Sequence, residues 1–297
     1  MKKMLMAAGM AAVMTACGTA GQKAATDAGN PFLAEYSTPF GVPPFDLIKV
    51  EHYKEAFLKG MEEQKKEIDA IVNQRSVPDF DNTIAAFDQS GELLNKVSTV
   101  FSGLNSCNTN DEMQAFNKEI TPLLSAHRDD ISLNPVLFAR VKEVYERREK
   151  LGLDKEQNKL LEETYKKFVR GGANLDSVDQ AKLRQLNSEI SMLQLTFGQN
   201  LLKETNAFEL VIDKKEDLAG LPESLVASAA EAAKGAGMEE KWLFTLHNPS
   251  VMPFLQYADN RELREKIFKG YINRGNNGNE ADNNEIVKKL VALRLEK

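Results

Sequence analysis

Histidine and cysteine are scarce in this sequence: 297 residues hold three histidines and two cysteines. No H-E-x-x-H pair is present, so no helix here offers two zinc-binding imidazoles one turn apart. No C-x-x-C exists, which removes the zinc-ribbon and thioredoxin-type readings. A Walker loop, a G-x-S-x-G elbow and a post-strand G-x-G-x-x-G are all missing, and with them the usual phosphate, acyl-transfer and dinucleotide signatures. No apolar run reaches the roughly 20 residues a membrane-spanning helix needs. Basic residues are outnumbered 38 to 44, giving a formal net charge of −6. An acidic surface argues against a nucleic-acid partner. Internal repeats and low-complexity tracts are absent too.

What is present begins with an address. Lys2 and Lys3 precede a short apolar run, Met4 to Met14, and then Thr15-Ala16-Cys17. The pattern is that of a bacterial lipobox, with Cys17 as the lipidated first residue of the mature chain; a secretory signal cut after Ala16 is the alternative. Gly18, not Asp, follows, so the inner-membrane retention signal familiar from enteric bacteria is missing. The expected location is the bacterial cell envelope, lipid-anchored at the outer membrane facing the periplasm. With Cys17 lipidated, Cys107 is the only remaining thiol and no intrachain disulfide can form. Nothing near Cys107 in sequence lowers its pKa, so it reads as a small buried apolar residue.

Four segments follow from the pattern: 1–17 the lipoprotein signal, 18–45 a tether and extended lead-in, 46–206 a helical domain, and 207–297 a strand–helix–strand insert with further helices. Pro31, Pro39, Pro43 and Pro44 exclude helix from the lead-in. Helical stripes then recur: Tyr53, Phe57, Met61, Ile68 and Ile71; Ile84 through Gly91 to Leu104, capped by Asp81 or Asn82; Met113, Phe116, Ile120 and Leu123 after Asn110. Asn134-Pro135 and Asp154 open two more helices, and Gly171-Gly172 closes the second. Asp176 opens the longest, whose Leu183, Leu186, Ile190, Leu193, Phe197 and Leu201 form a near-heptad seam suited to an antiparallel neighbour. Phe208 to Ile212 and Trp242 to Leu246 are the strand candidates, with an Ala-rich helix between them. The fold class is mainly α, a multi-helix bundle with a small β insert.

Candidates for chemistry are few. His52 and Glu55 are one helical turn apart, too few ligands for zinc, and read as a surface face. His127 reads as a helix C-terminal contact, and His247 as a turn residue before Asn248-Pro249. Glu162-Glu163 and Asp129-Asp130 are adjacent and so point apart on a helix, as solvated faces do. Arg261, Arg264, Arg274 and Arg294 concentrate in the closing block beside Asp259, Glu280 and Asp282. They form either an ion-pair lattice or, for Arg261, Arg264 and Arg274, a cleft wall able to receive a peptide carboxylate through bidentate forks. The pattern of Ile286, Leu290 and Leu293 is still helical at Lys297, with no capping Gly or Pro, which reads as an interrupted element.

Several blocks together resemble one family. They are Asn30-Pro31-Phe32-Leu33, the run from Asp79 to Leu94, Leu137 to Val141, Arg147 to Asp154, Ala229 to Ala233, Lys241-Trp242-Leu243, and Asp259 to Lys266. In this order they resemble the N-terminal part of the M3 zinc metallopeptidases, the oligopeptidase A and thimet oligopeptidase group, and within it the bacterial peptidyl-dipeptidases. The resemblance implies a two-lobed helical enzyme that releases C-terminal dipeptides from short peptides at one Zn2+. It implies a metal held by an H-E-x-x-H helix and a downstream Glu, none of which matches a residue here. This chain alone is therefore expected to be inactive, its partners being short peptides, a missing C-terminal catalytic domain, and a membrane reached only through the lipid. A non-catalytic envelope lipoprotein that binds peptides or a protein partner is the alternative.

Overall fold

The computed structural model describes residues 29–297; the signal segment and Cys17 lie outside the described residues. The fold is mainly α with one two-stranded sheet, as the periodicities predict. No helix among the described residues is long and apolar enough to cross a membrane.

The Pro-rich lead-in forms two single 3-10 turns, Pro31–Leu33 and Pro39–Gly41, joined by extended chain. It is fastened at both ends of its first turn. The Asn30 amide donates to the His52 carbonyl at 2.7 Å and to Glu55 at 3.1 Å. The Lys96 ammonium donates to the Phe32 and Ala34 carbonyls and sits 3.8 Å above the Tyr36 ring. Phe32 is thereby buried against Tyr53.

Helix α1 spans Val50–Asn73, starting later than Asp46 because a turn follows Pro44. Its N-terminus is closed by His52, whose Nδ1 accepts the Lys49 N–H at 3.1 Å. A π-helical turn, Phe80–Ala85, runs into α2, Ala86–Asp88. Asp79, not Asp81 or Asn82, is the cap, in a reciprocal capping box with Asn82. The single helix expected from Ile84 to Leu104 is broken at Gly91, and α3 spans Glu92–Cys107. Gly91 has φ +80, its N–H is taken by Glu67 at 2.7 Å, and a Cβ there would meet the Gln64 amide at 2.4 Å. Only glycine satisfies that backbone and that neighbour together. Helix α1 thus approaches closely at Gly91, and again at Gly60, where a Cβ would come within 2.9 Å of the Leu94 backbone.

Helix α4, Asp111–Ser132, is capped by Asn110. It continues through Pro122, so His127 lies inside the helix, in its last two turns, rather than after its end. Past that proline the inward positions become Leu124, Ser125 and Asp129, and Leu123 is exposed. Helices α5, Pro135–Glu146, and α6, Lys155–Arg170, carry the expected Asn134 and Asp154 caps. Helix α7, Ser177–Ala207, packs antiparallel on α4: Asn187 donates to Asp129 at 2.7 Å near one end, and Gln199 to Gln114 at 2.9 Å near the other. Leu183, Leu186 and Ile190 are buried, whereas Leu193, Phe197 and Leu201 are half-buried.

Strand β1, Leu210–Ile212, pairs antiparallel with β2, Trp242–Phe244, placing Val211 opposite Leu243. Helix α8, Glu223–Gly235, bridges them and stops at Gly237, φ +74. Then come α9, Asn248–Tyr257, α10, Arg261–Ile272, and α11, Asn284–Glu296. Three apolar clusters hold the chain. One is aromatic, around Phe32, Tyr53, Phe57, Phe101 and Phe116. A second joins Ile68 and Ile84 to Leu137, Val141, Leu161 and Phe168. The third, in the insert, centres on Leu210, Phe244, Phe254 and Ile267. Each buried large side chain contributes about 1.5–3 kcal/mol.

Two residues sit differently from the sequence expectation. Cys107 is exposed, because α3 ends there. Asp129 is buried, because α7 supplies Asn187 as its partner, while Asp130 stays outside and pairs with Arg184 at 2.7 Å. Glu162 and Glu163 are surface ion-pair partners of Lys166 and Lys159, as expected.

Candidate functional site

The three histidines are far from a common site. His52 caps α1 and His127 bonds Gln64 inside the bundle. His247 is exposed at the start of α9, its carbonyl accepting the N–H groups of Ser250 and Val251 at 2.8 and 2.9 Å. Among the described residues, no three His, Cys, Asp or Glu side chains gather in a geometry that could hold a metal ion. The residues present do not fit the zinc centre that the resemblance implies, and no step through zinc is derived.

The arginine block does form a concavity. Helices α9 and α10 are antiparallel neighbours joined by the short turn at Ala258 to Asn260. Asn260 caps α10, its Oδ1 accepting the Glu262 and Leu263 N–H groups at 3.0 and 3.2 Å. Between the two helices lies a groove of about 400 Å³ lined by Leu255, Arg261, Arg264, Glu265 and Phe268. Spacing explains the set: 261, 264, 265 and 268 recur at threes and fours along one face of α10.

The two arginines differ in freedom. Arg264 donates to the carbonyls of Ala258 and Asp259, the latter at 2.9 Å, satisfying the C-terminal end of α9. Arg261 is exposed at the first turn of α10. Glu265 is held below the usual carboxylate range, first by its hydrogen bond from Lys269 and also by the Arg261 charge. The groove thus joins an exposed guanidinium, a hydrogen-bonded one, the Glu265 carboxylate and an apolar wall of Leu255 and half-exposed Phe268. Such a set can take a carboxylate whose neighbouring side chain is apolar.

Arg274 is not part of this groove. Its guanidinium stacks 3.9 Å from the Tyr271 ring and donates to the Tyr271 carbonyl at 2.9 Å and Thr205 Oγ1 at 3.1 Å. It ties the end of α10 to the end of α7. Leu255 and Phe268 had no signal in the sequence beyond apolarity. The turn that brings α9 onto α10 makes them part of the site.

No family model matches the chain. It is 41% identical over 267 residues to the dipeptidyl carboxypeptidase of Escherichia coli (strain K12), covering 90% of this chain and 39% of that protein. Its identity to the dipeptidyl carboxypeptidase of Salmonella typhimurium is 40%, covering 89% and 39%. Identity to oligopeptidase A of Haemophilus influenzae is 29%, covering 86% and 38%. The chain spans about two fifths of the length of the curated relatives it matches. The chain is a homologue of the dipeptidyl carboxypeptidases and oligopeptidases A, the peptidases of the M3 family that its sequence blocks resemble.

Proposed function

We propose that this chain serves as the substrate-contacting part of an M3-type peptidase that removes C-terminal dipeptides from short peptides. The observation that carries this is the groove of Arg261, Arg264, Leu255 and Phe268, set in a chain homologous to dipeptidyl carboxypeptidases. An enzyme that counts residues from a C-terminus has to hold a terminal carboxylate. Arg261 supplies the charge, Arg264 stiffens the turn that presents it, and Leu255 and Phe268 receive the adjoining side chain. In this reading the Zn2+ and its H-E-x-x-H ligands come from a catalytic segment outside residues 1–297, and Cys17 anchors the assembly in the envelope by lipid.

The test compares one N-acetylated pentapeptide ending in Leu, as free acid and as amide. The free acid is expected to bind about fivefold tighter, the worth of one partly exposed charge pair. Arg261→Ala should close that gap. Equal binding of acid and amide to the unaltered chain defeats the proposal. The catalytic segment is tested separately at the gene: an in-frame H-E-x-x-H downstream of the Lys297 codon is expected, and a stop codon there in an intact genome overturns it.

A further inference from the structure

A second concavity lies where α3, α4 and α7 meet. It measures about 260 Å³. Its polar lining is made of carboxamides: Asn105 from α3, Gln114 and Asn117 from α4, Gln194 and Gln199 from α7. Leu195, Gly198 and Leu202 complete it along α7, and no ionisable side chain takes part. In a chain with 28% charged residues, an entirely neutral polar groove needs a reason.

Three of these five amides are locked together. Gln199 Nε2 donates to Gln114 Oε1 at 2.9 Å. Gln114 Nε2 in turn donates to Asn105 Oδ1 at 3.0 Å and Thr109 Oγ1 at 2.6 Å. This chain fixes which end of each amide faces outward. Gln199 Oε1 is left as an acceptor and Asn105 Nδ2 as a donor, neither bonded to another group among the described residues. Gln194 is exposed, and its amide is bonded to no other group among the described residues. The groove therefore offers both free donors and free acceptors, which pairing with a peptide main chain requires.

Gly198 is the second observation. It stands inside α7, where glycine is a poor helix former, yet a Cβ there would meet nothing within 4 Å. Its φ is not in the left-handed region, so neither backbone strain nor internal packing calls for glycine at this place. What glycine provides is a notch between Leu195 and Leu202, allowing another backbone to approach the helix closely. The notch runs about 10 Å along α7, the length of about three extended peptide residues. The lining holds no aromatic ring of the kind that stacks on a sugar face, and the two leucines suit small aliphatic side chains.

We propose that this carboxamide groove binds an extended, uncharged stretch of peptide main chain without regard to sequence, as a subsite separate from the Arg261 groove. The proposal rests on the peptidase reading for the identity of its ligand. The groove's contacts would be ones that salt does not screen.

The test uses the 15N-labelled full chain and a short Ala/Gly peptide acetylated at one end and amidated at the other. That probe has no carboxylate, so it cannot use the arginine groove. Expected are saturable shifts of the Gln194, Gln199 and Asn105 side-chain amides and the Gly198 amide, with affinity unchanged between low and high salt. Gly198→Leu, which fills the notch with a good helix former, should weaken binding by about tenfold or more. Gln194→Ala, an exposed change that leaves the fold intact, should weaken it about threefold. No shifts, shifts that survive both substitutions, or shifts produced by maltotriose and not by the peptide would each overturn the proposal. If acid and amide pentapeptides still differ through Arg261 while the blocked probe is silent, this groove is rejected and the peptidase reading stands.

Discussion

His127 Nε2 lies 2.7 Å from Gln64 Oε1, linking the C-terminal part of α4 to the middle of α1. The Gln64 amide nitrogen points the other way, 3.4 Å from both the Ser90 carbonyl and hydroxyl. The glutamine oxygen therefore faces the ring, and His127 donates from Nε2 as a neutral imidazole. Burial holds its pKa below the ordinary value of 6.5, with Lys65 acting in the same direction and Asp130 opposing. The folded state takes up this proton later than the unfolded one as pH falls. Stability is then complete above pH 6.5 and declines as pH drops from there toward the folded pKa. His127→Gln should remove that decline in urea midpoints measured between neutral and mildly acidic pH, and cost about 1 kcal/mol at neutral pH. An unchanged pH profile would assign the decline to other groups.

Tyr53 is fully buried among Phe32, Phe57, Phe101 and Phe116, yet its hydroxyl has no hydrogen-bond partner among the described residues. A buried orphan hydroxyl is a net cost. Tyr53→Phe should raise stability by about 1 kcal/mol. Burial, with Tyr36 adding, pushes the phenol up to about 12. The unfolded chain loses that proton first, so stability is complete below pH 10 and is lost as pH rises from 10 toward 12. Phenylalanine should abolish that alkaline loss, as followed by circular dichroism during base titration.

These long-range pairs mark where the sequence stops being legible. Local signals were reliable: Asn110, Asn134, Asp154 and Asp176 cap the helices they precede, and the two strands of the insert pair as their alternation implies. Gly91 shows the limit. On its stripe it reads as a packing glycine inside a helix, but it is a left-handed break, set against Glu67 and Gln64 of α1. Asp129 reads as solvated because its partner, Asn187, is supplied 58 residues later. The site divides in the same way. A concentration of arginines is visible in one dimension. That Arg261 and Arg264 share a groove with Leu255, while Arg274 leaves to stack on Tyr271, depends on the turn between α9 and α10. The carboxamide groove draws on three helices and has no linear signature.

Arg140 is a buried cation bonded only to neutral groups among the described residues. Its guanidinium fans out to the Gln74 and Ser76 carbonyls at 3.4 and 3.3 Å, Asn82 Oδ1 at 3.0 Å and Thr83 Oγ1 at 3.2 Å, while Nε has no partner. It pins the linker between α1 and the π-helical turn onto α5. Lysine carries the charge but cannot span four acceptors set around a planar fork. Arg140→Lys should cost nearly as much as Arg140→Leu, about 2–4 kcal/mol. Hydrogen exchange at residues 74–83 should quicken in both variants. Retention of protection in the lysine variant would show that charge alone holds the linker.

Glu204 organises the loop between α10 and α11. Its buried carboxylate accepts the Gly275 N–H, the Asn277 amide at 2.9 Å and the Asn279 amide at 2.6 Å. Burial alone would push its pKa up, but these three donors outweigh it and hold the group below the ordinary 4.5. The same loop is clasped at Asn283, whose Oδ1 accepts from Asn200 at 3.0 Å and whose amide donates to the Phe197 carbonyl at 3.1 Å. Both anchors lie on the last turns of α7, so the loop sets how α11 leaves the body. Glu204→Gln replaces one accepting oxygen by an NH2 donor that faces other donors, which should cost about 2–4 kcal/mol. The depressed pKa also fixes a pH dependence: the contribution is complete above pH 4.5 and is lost as pH falls through the folded value. The glutamine variant should lack that acid step, and limited proteolysis should cut it within residues 273–283 at neutral pH. Equal protease resistance of the two chains would mean that Asn283, not Glu204, holds the loop.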